Sequence, residues 1–175
     1  MTKTKLPIRS ITCIALLAGV PIACDKKSEA SGNLDASGLD AASRPPVREG
    51  VLGPLPVVKV KIHGETFTLE VADEEHEKAQ GLMYRKSMPA QHGMIFVWQS
   101  AEPRGFWMKD TELTLDLVFL NSAAQVVAIQ TGRPFDKTNI ASSSPARFVI
   151  EFNHGTANRI GLKLGDVIDL PKTLR

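Results

Sequence analysis

Between Pro56 and Pro171 apolar and polar residues alternate in short runs. Val58, Val60 and Ile62 interleave with Lys59, Lys61 and His63, and beyond Gly64-Glu65 the residues Phe67, Leu69 and Val71 resume the period. A repeat of two puts alternate side chains on opposite faces of a strand, so this stretch predicts a β-hairpin turning at Gly64-Glu65. Asp73, followed by Glu74 and Glu75, predicts a short helix capped at Asp73 and running to Gln80, with Gly81 stopping it and Leu82 packing back. Further strands are expected at Met94–Trp98, Gly105–Lys109, Leu115–Leu120, Gln125–Thr131 and Arg147–Phe152. A helical turn near Thr156–Ile160 and a last strand at Val167–Leu170 complete the pattern. Asp136–Pro145 is polar and ends in proline, which marks a surface loop. Roughly six to eight short strands with one or two short helices predict a compact α+β fold, mostly an antiparallel β-sheet able to curl into a barrel.

The chain before Pro56 follows other rules. Lys3, Lys5 and Arg9 precede an apolar run from Ile11 to Ile22, then Ala23 and Cys24. A basic head and a short apolar core ending in small residues describe an export signal over 1–23. A membrane span needs about 20 apolar residues, more than this Pro21-interrupted run supplies. Gly19-Val20-Pro21-Ile22-Ala23-Cys24, followed by Asp25-Lys26-Lys27, resembles the lipobox of bacterial lipoproteins, with Pro21 where leucine is usual. The resemblance implies that Cys24 carries a lipid and holds the protein to the periplasmic or outer side of a bacterial membrane; ordinary cleavage leaving a free thiol is the alternative. Residues 24–55 are rich in Ser, Gly, Ala, Asp and Pro and have no sustained apolar period, so they read as a flexible linker reaching on the order of 30 Å. The globular domain is expected at 56–171.

Charge and cysteine content narrow the function classes. The formal net charge is +2, and removing Lys3, Lys5 and Arg9 with the signal subtracts three and leaves −1. No basic stripe remains to neutralise phosphates, so nucleic acid is not an expected partner. Cys13 and Cys24 are the two cysteines, so the globular part has no disulfide framework, thiolate metal site or cysteine nucleophile. It also lacks a phosphate-cradling glycine loop, histidines paired at helical spacing and a Gly-x-Ser-x-Gly elbow. Ser142, Ser143 and Ser144 read as a solvated loop, and His63, His76, His92 and His154 as surface residues. No cofactor is expected.

One cluster is dense in methionine, aromatics and isolated charges: Gly81-Leu82-Met83-Tyr84-Arg85, Gly93-Met94-Ile95-Phe96, Phe106-Trp107-Met108-Lys109-Asp110-Thr111 and Leu115-Asp116. Strand alternation would put Phe106 and Met108 on one side and Trp107 with Lys109 on the other. A wide aromatic beside a cation and an acid is one way to build a small-molecule pocket, here from Arg85, Trp107, Lys109 and Asp116. The plainer reading is packing: methionines fill core gaps, and Arg85 or Lys109 pairs with Asp116 to hold a corner.

The segments QGLMYR, HGMIFVW, RGFWMKDTELTLDLVFL and ARFVIEF…G…GLKLGD resemble the bacterial and archaeal family known as domain of unknown function 192, over about Val57 to Leu170. Asp110 stands where the family commonly has asparagine, and Asn121-Ser122-Ala123-Ala124 replaces a turn that usually carries Asp and Gly. The resemblance implies a small β-rich fold, often exported or lipidated, and assigns no reaction. Its motif residues fall on Gly81, Met83, Arg85, Gly93, Met94, Phe96, Trp107, Met108, Lys109, Asp116 and Glu151.

The sequence therefore favours a non-catalytic domain displayed outside a membrane, its partners being the membrane through the anchor and a small polar or anionic ligand. Two alternatives remain open: a hydrolase-like enzyme drawing an acid–base pair from Asp116 and Glu151 with Lys109, and soft-metal binding of Cu(I) by Met83, Met94 and Met108 with a histidine. A protein-interaction role on an edge strand is a further fallback.

Overall fold

The computed structural model of the protein describes residues 53–175. The export signal, Cys24 and nearly all of the linker lie outside the described residues. The predicted hairpin forms from Val57–Ile62 (β1) and Glu65–Ala72 (β2), with Val58 opposite Leu69 and Val60 opposite Phe67. Its turn is His63-Gly64, one residue earlier than expected, and both have positive φ (46° and 90°). That pair of dihedrals matches the right-handed twist of the flanking strands in a two-residue turn.

The helix after it spans Glu75–Gln80 (α1) and is capped at Glu74 rather than Asp73. Glu77 explains the shift: its carboxylate accepts from the backbone N–H groups of Asp73 (3.1 Å) and Glu74 (3.0 Å), which folds the entry onto the first turn. Gly81 ends the helix as predicted, with φ 50°. The chain then returns as His92–Glu102 (β3), parallel to β2, the one parallel pair of the main sheet.

Gly105–Phe106 (β4) is two residues long, not five, because the chain leaves the strand at Trp107 and turns at Lys109-Asp110. Leu115–Leu120 (β5) and Val126–Gly132 (β6) follow as an antiparallel pair. The polar stretch read as a loop contains Ile140–Ala141 (β7), which pairs with β4 in a separate two-stranded sheet. Ala146–Asn153 (β8) lies between β3 and β5, antiparallel to both. A single helical turn, Thr156–Arg159 (α2), comes next. The expected final strand reduces to one bridge, Gln125 with Val167, and a 3-10 turn at Lys172–Leu174 follows.

The main sheet runs β1-β2-β3-β8-β5-β6, with β1 and β6 as its edges. Among the described residues it is thus an open, mostly antiparallel sheet with few short helices, the expected class without barrel closure. Both faces of its centre are covered, and every residue of β5 is buried. One face carries Val60, Phe67, Leu69, Ile95, Val118, Phe148, Ile150 and Phe152 against Ile160, Leu162, Ile168 and Leu174. The other carries Met94, Phe96, Leu117, Phe119 and Val149 against Leu82 and Met108. Burial on both faces is why these strands read as continuous apolar runs rather than clean alternations.

Gly93 sets how closely β8 can approach β3. A Cβ there would sit 2.5 Å from the Glu151 carbonyl oxygen and 2.9 Å from a Leu69 methyl. Gly93→Ala is expected to lower stability by about 1–3 kcal/mol, the usual cost of overpacking, read as a lower urea midpoint with unchanged slope.

Candidate functional site

Strand register decides which charged residues can meet. Glu151 of β8 stands opposite Met94 of β3 and Leu117 of β5, and Met94 stands opposite Glu70 of β2. Glu70, Met94, Glu151 and Leu117 therefore form a row across one face, with Glu70 and Glu151 two strands and roughly 10 Å apart. Asp116 pairs with Phe152 instead, so it projects from the opposite face. The acid–base pair of Asp116 and Glu151 considered from sequence does not assemble, because the sheet separates its members.

Glu151 is 4% exposed in an otherwise apolar neighbourhood. No hydrogen bond from a described residue reaches its carboxyl, and no described side-chain oxygen is both sealed and unpaired. The carboxyl thus reaches a narrow crevice of about 30 Å³, which it lines with Gly81, Met83, Phe96, Phe106, Trp107 and Thr111. Burial pushes its pKa up to about 8, against the opposing pull of the Arg85 guanidinium. Arg85 is near enough to be felt but does not line the crevice, because its guanidinium is forked onto Glu70 at 2.5 and 2.6 Å. That fork raises the Arg85 pKa further above its ordinary value.

Two loops form the rim. After α1, the chain at Gly81 passes so close to Phe96 that a Cβ would meet its ring at 3.2 Å. Across the opening, the turn after β4 presents Trp107, 52% exposed. The loops are tied where the Tyr84 N–H donates to the Asp110 carbonyl (2.8 Å) and the Tyr84 hydroxyl to the Asp110 carboxylate (3.2 Å). Asp110 has φ 52°, a left-handed conformation that Asn and Asp tolerate best, and its acceptor oxygen suffices for the contact. Behind the rim, Phe106 packs edge-on to Phe96 (5.0 Å) and Phe119 (5.8 Å), making an aromatic wall.

The residues singled out from sequence fall in three places. Trp107 and Lys109 come together, with the ammonium 5.6 Å from the indole centroid. Arg85 belongs to the Glu70 pair rather than to Asp116. Asp116, 5% exposed, accepts from the Ala157 N–H (2.9 Å) and lies 2.9 Å from His154 Nδ1. It caps α2, whose own N-cap residue, Gly155, has no side chain to do so. Met94 and Met108 are buried in the core and only Met83 of the three lines the crevice, so they do not form a methionine cluster facing it. Among the described residues, the broader grooves elsewhere, including one of about 670 Å³ beside His154, contain no comparably buried carboxyl without a partner. Sequence reasoning missed Glu70 and His154. Glu70 sits in the polar phase of a strand and carries no local sign of its partner 15 residues on.

Asp116→Ala is expected to cost about 1–3 kcal/mol by orphaning the start of α2, whereas Lys109→Ala should stay within about 0.5 kcal/mol. Because the two do not touch, the double variant should be additive within about 0.5 kcal/mol in chemical melts. Strong coupling would contradict this geometry. Glu151 makes a separate prediction. Its folded pKa is raised, so the folded state holds a proton that the unfolded chain has lost, and its contribution to stability falls between about pH 4.5 and 8 by roughly 1.4 kcal/mol per pH unit. Glu151→Gln should therefore match the parent near pH 4 and exceed it near pH 9; equal pH dependence of the two proteins would refute the assignment.

Comparison with known proteins agrees with this architecture. A family model for domain of unknown function 192, described as an uncharacterized ACR, matches residues 58–170. No curated protein matches the chain. A crystal structure of a protein of unknown function from Novosphingobium aromaticivorans DSM 12444 is 29% identical, with a TM-score of 0.61, covering 87% of this chain and all of that one. Another, described as a candidate transcription regulator from Sinorhizobium meliloti 1021, is 35% identical with a TM-score of 0.59, covering 65% of this chain and 90% of that one. The chain belongs to the domain of unknown function 192 family.

Proposed function

We propose that this protein is exported, held through a lipid on Cys24 to the periplasmic or outer side of a bacterial membrane, and binds a small polar ligand without transforming it. The ligand seat is the crevice between Trp107 and Glu151. One observation carries the reading: a buried carboxyl without a described hydrogen-bond donor faces that crevice. Burying such a group unpaired is costly, and a ligand that hydrogen-bonds it would recover the cost. A partly exposed indole at the mouth and an aromatic wall behind it suit a small organic molecule. The Asp116–Glu151 pair is split across the sheet, which leaves the hydrolase-like alternative without its second carboxylate. The Arg85–Glu70 fork commits the nearby guanidinium, which favours a polar ligand over an anionic one. Export and anchoring rest on the basic head, the short apolar run and the small residue before Cys24.

Two measurements test this reading. Cys24→Ser should shift the protein from membranes to the soluble fraction, and the parent should carry acyl groups by mass spectrometry; a membrane-bound variant of an unacylated parent would overturn the anchor. With Trp98→Phe, Trp107 is the remaining tryptophan, and its fluorescence should respond to small amines or amides. Trp107→Ala should weaken binding about tenfold or more with little change in melting, as expected for an exposed contact. A large loss of stability would make Trp107 a packing residue instead.

A further inference from the structure

Three features of the crevice select among small polar ligands. Its floor is a single carboxyl, which when ionised accepts hydrogen bonds and donates none. The two cations beside the carboxyl are committed elsewhere: Arg85 to Glu70, and the Lys78 ammonium to the Asp73 carbonyl (2.6 Å) and Glu75 (2.9 Å). Its walls are Phe96, Phe106 and Trp107, whose ring faces carry the negative lobe of the aromatic quadrupole and attract positive charge. Among the described residues, an anion that passed Lys109, whose ammonium lies over the Trp107 ring at the rim, would meet Glu151 inside with no uncommitted cation to receive it. A cation would meet a carboxylate and aromatic rings. The volume of about 30 Å³ admits one small head group.

We infer that the crevice takes the head of a primary alkylammonium compound, with the ammonium donating to the Glu151 carboxylate and the adjoining carbons lying against Trp107 and Phe106. The inference rests on the crevice being a ligand site. Complex formation is a proton exchange: the O–H bond of the Glu151 carboxyl breaks, its proton goes to solvent, and the carboxylate left behind pairs with the incoming ammonium. The raised pKa of Glu151, about 8, supports this balance, because near neutrality the free protein still carries that proton. An alkylammonium stays charged throughout, its own pKa being about 10.4 as in lysine. The charged groups facing Glu151 are Glu70 from β2, Arg85 from the loop after α1, and Lys78 from α1. Lys109 and Asp110 stand at the rim, and the flanking strands contribute the uncharged Met94 and Leu117.

The test uses the full chain carrying Trp98→Phe, titrated with methylammonium, acetamide and acetate while Trp107 fluorescence is followed. Calorimetry in two buffers of different ionisation enthalpy counts the protons released. Methylammonium is expected to bind with release of close to one proton near pH 6.5. Its affinity should rise about tenfold per pH unit below the Glu151 pKa and level off above it. Glu151→Gln, checked for an intact melt, should lower methylammonium affinity at least tenfold and abolish proton release. Methylammonium binding without proton release, or unchanged by Glu151→Gln, would overturn the inference. Binding of acetamide or acetate at Trp107 in place of methylammonium would overturn the ammonium assignment while leaving the crevice a ligand site. If none of the three probes perturbs Trp107, the ligand-site reading falls as well.

Discussion

Everything in this domain depends on β8 being hydrogen-bonded on both sides, to β3 and to β5. A strand in that position has no free edge, and apart from partly exposed Arg147 and Asn153 each of its side chains must suit one of two cores. Phe148, Ile150 and Phe152 fill one and Ala146 and Val149 the other. Glu151 falls in the second phase, and its carboxyl enters an apolar layer because the backbone register allows nothing else. The close approach at Gly93 fixes that register from the β3 side.

The cost of placing an acid there shapes its surroundings. Left ionised and unpaired, a buried carboxylate is strongly disfavoured, so the group holds its proton to about pH 8. Arg85 relieves this only in part, because Glu70 offers it a two-pronged partner at the edge of the same row. The outcome is a neutral acid under an aromatic wall, with one narrow outlet to solvent. The mouth of the site is set by the Tyr84–Asp110 tie between loops. Preorganisation of that sort reduces the ordering entropy a ligand must overcome.

Asp116 shows how similar chemistry on the other face serves stability instead. Its carboxylate is also buried, yet both oxygens are engaged, one near His154 and one by the Ala157 N–H. It does for α2 what a side chain at Gly155 cannot. The contrast between two acids on adjacent strands, one satisfied and one open to a crevice, separates the structural carboxylate from the candidate binding one.

Strand positions, the hairpin, the glycine stop after α1 and the β-rich class were legible because period-two patterning and turn chemistry are local properties of the chain. The neighbourhood of Trp107 and Lys109 was legible too, since two residues of sequence separation left little freedom. The short reach of β4 and the pairing of β7 were not, because two-residue strands carry no periodic signal. Nor were Arg85 with Glu70, Asp116 with His154, or the two faces that keep Asp116 from Glu151. Those outcomes follow from strand order and register, which are fixed by the collective burial of both sheet faces and not by any one segment. Residue types and local spacing limited which side chains could make a site; among the described residues, the packing of both sheet faces left Glu151 alone buried, without a hydrogen-bond donor and open to a crevice.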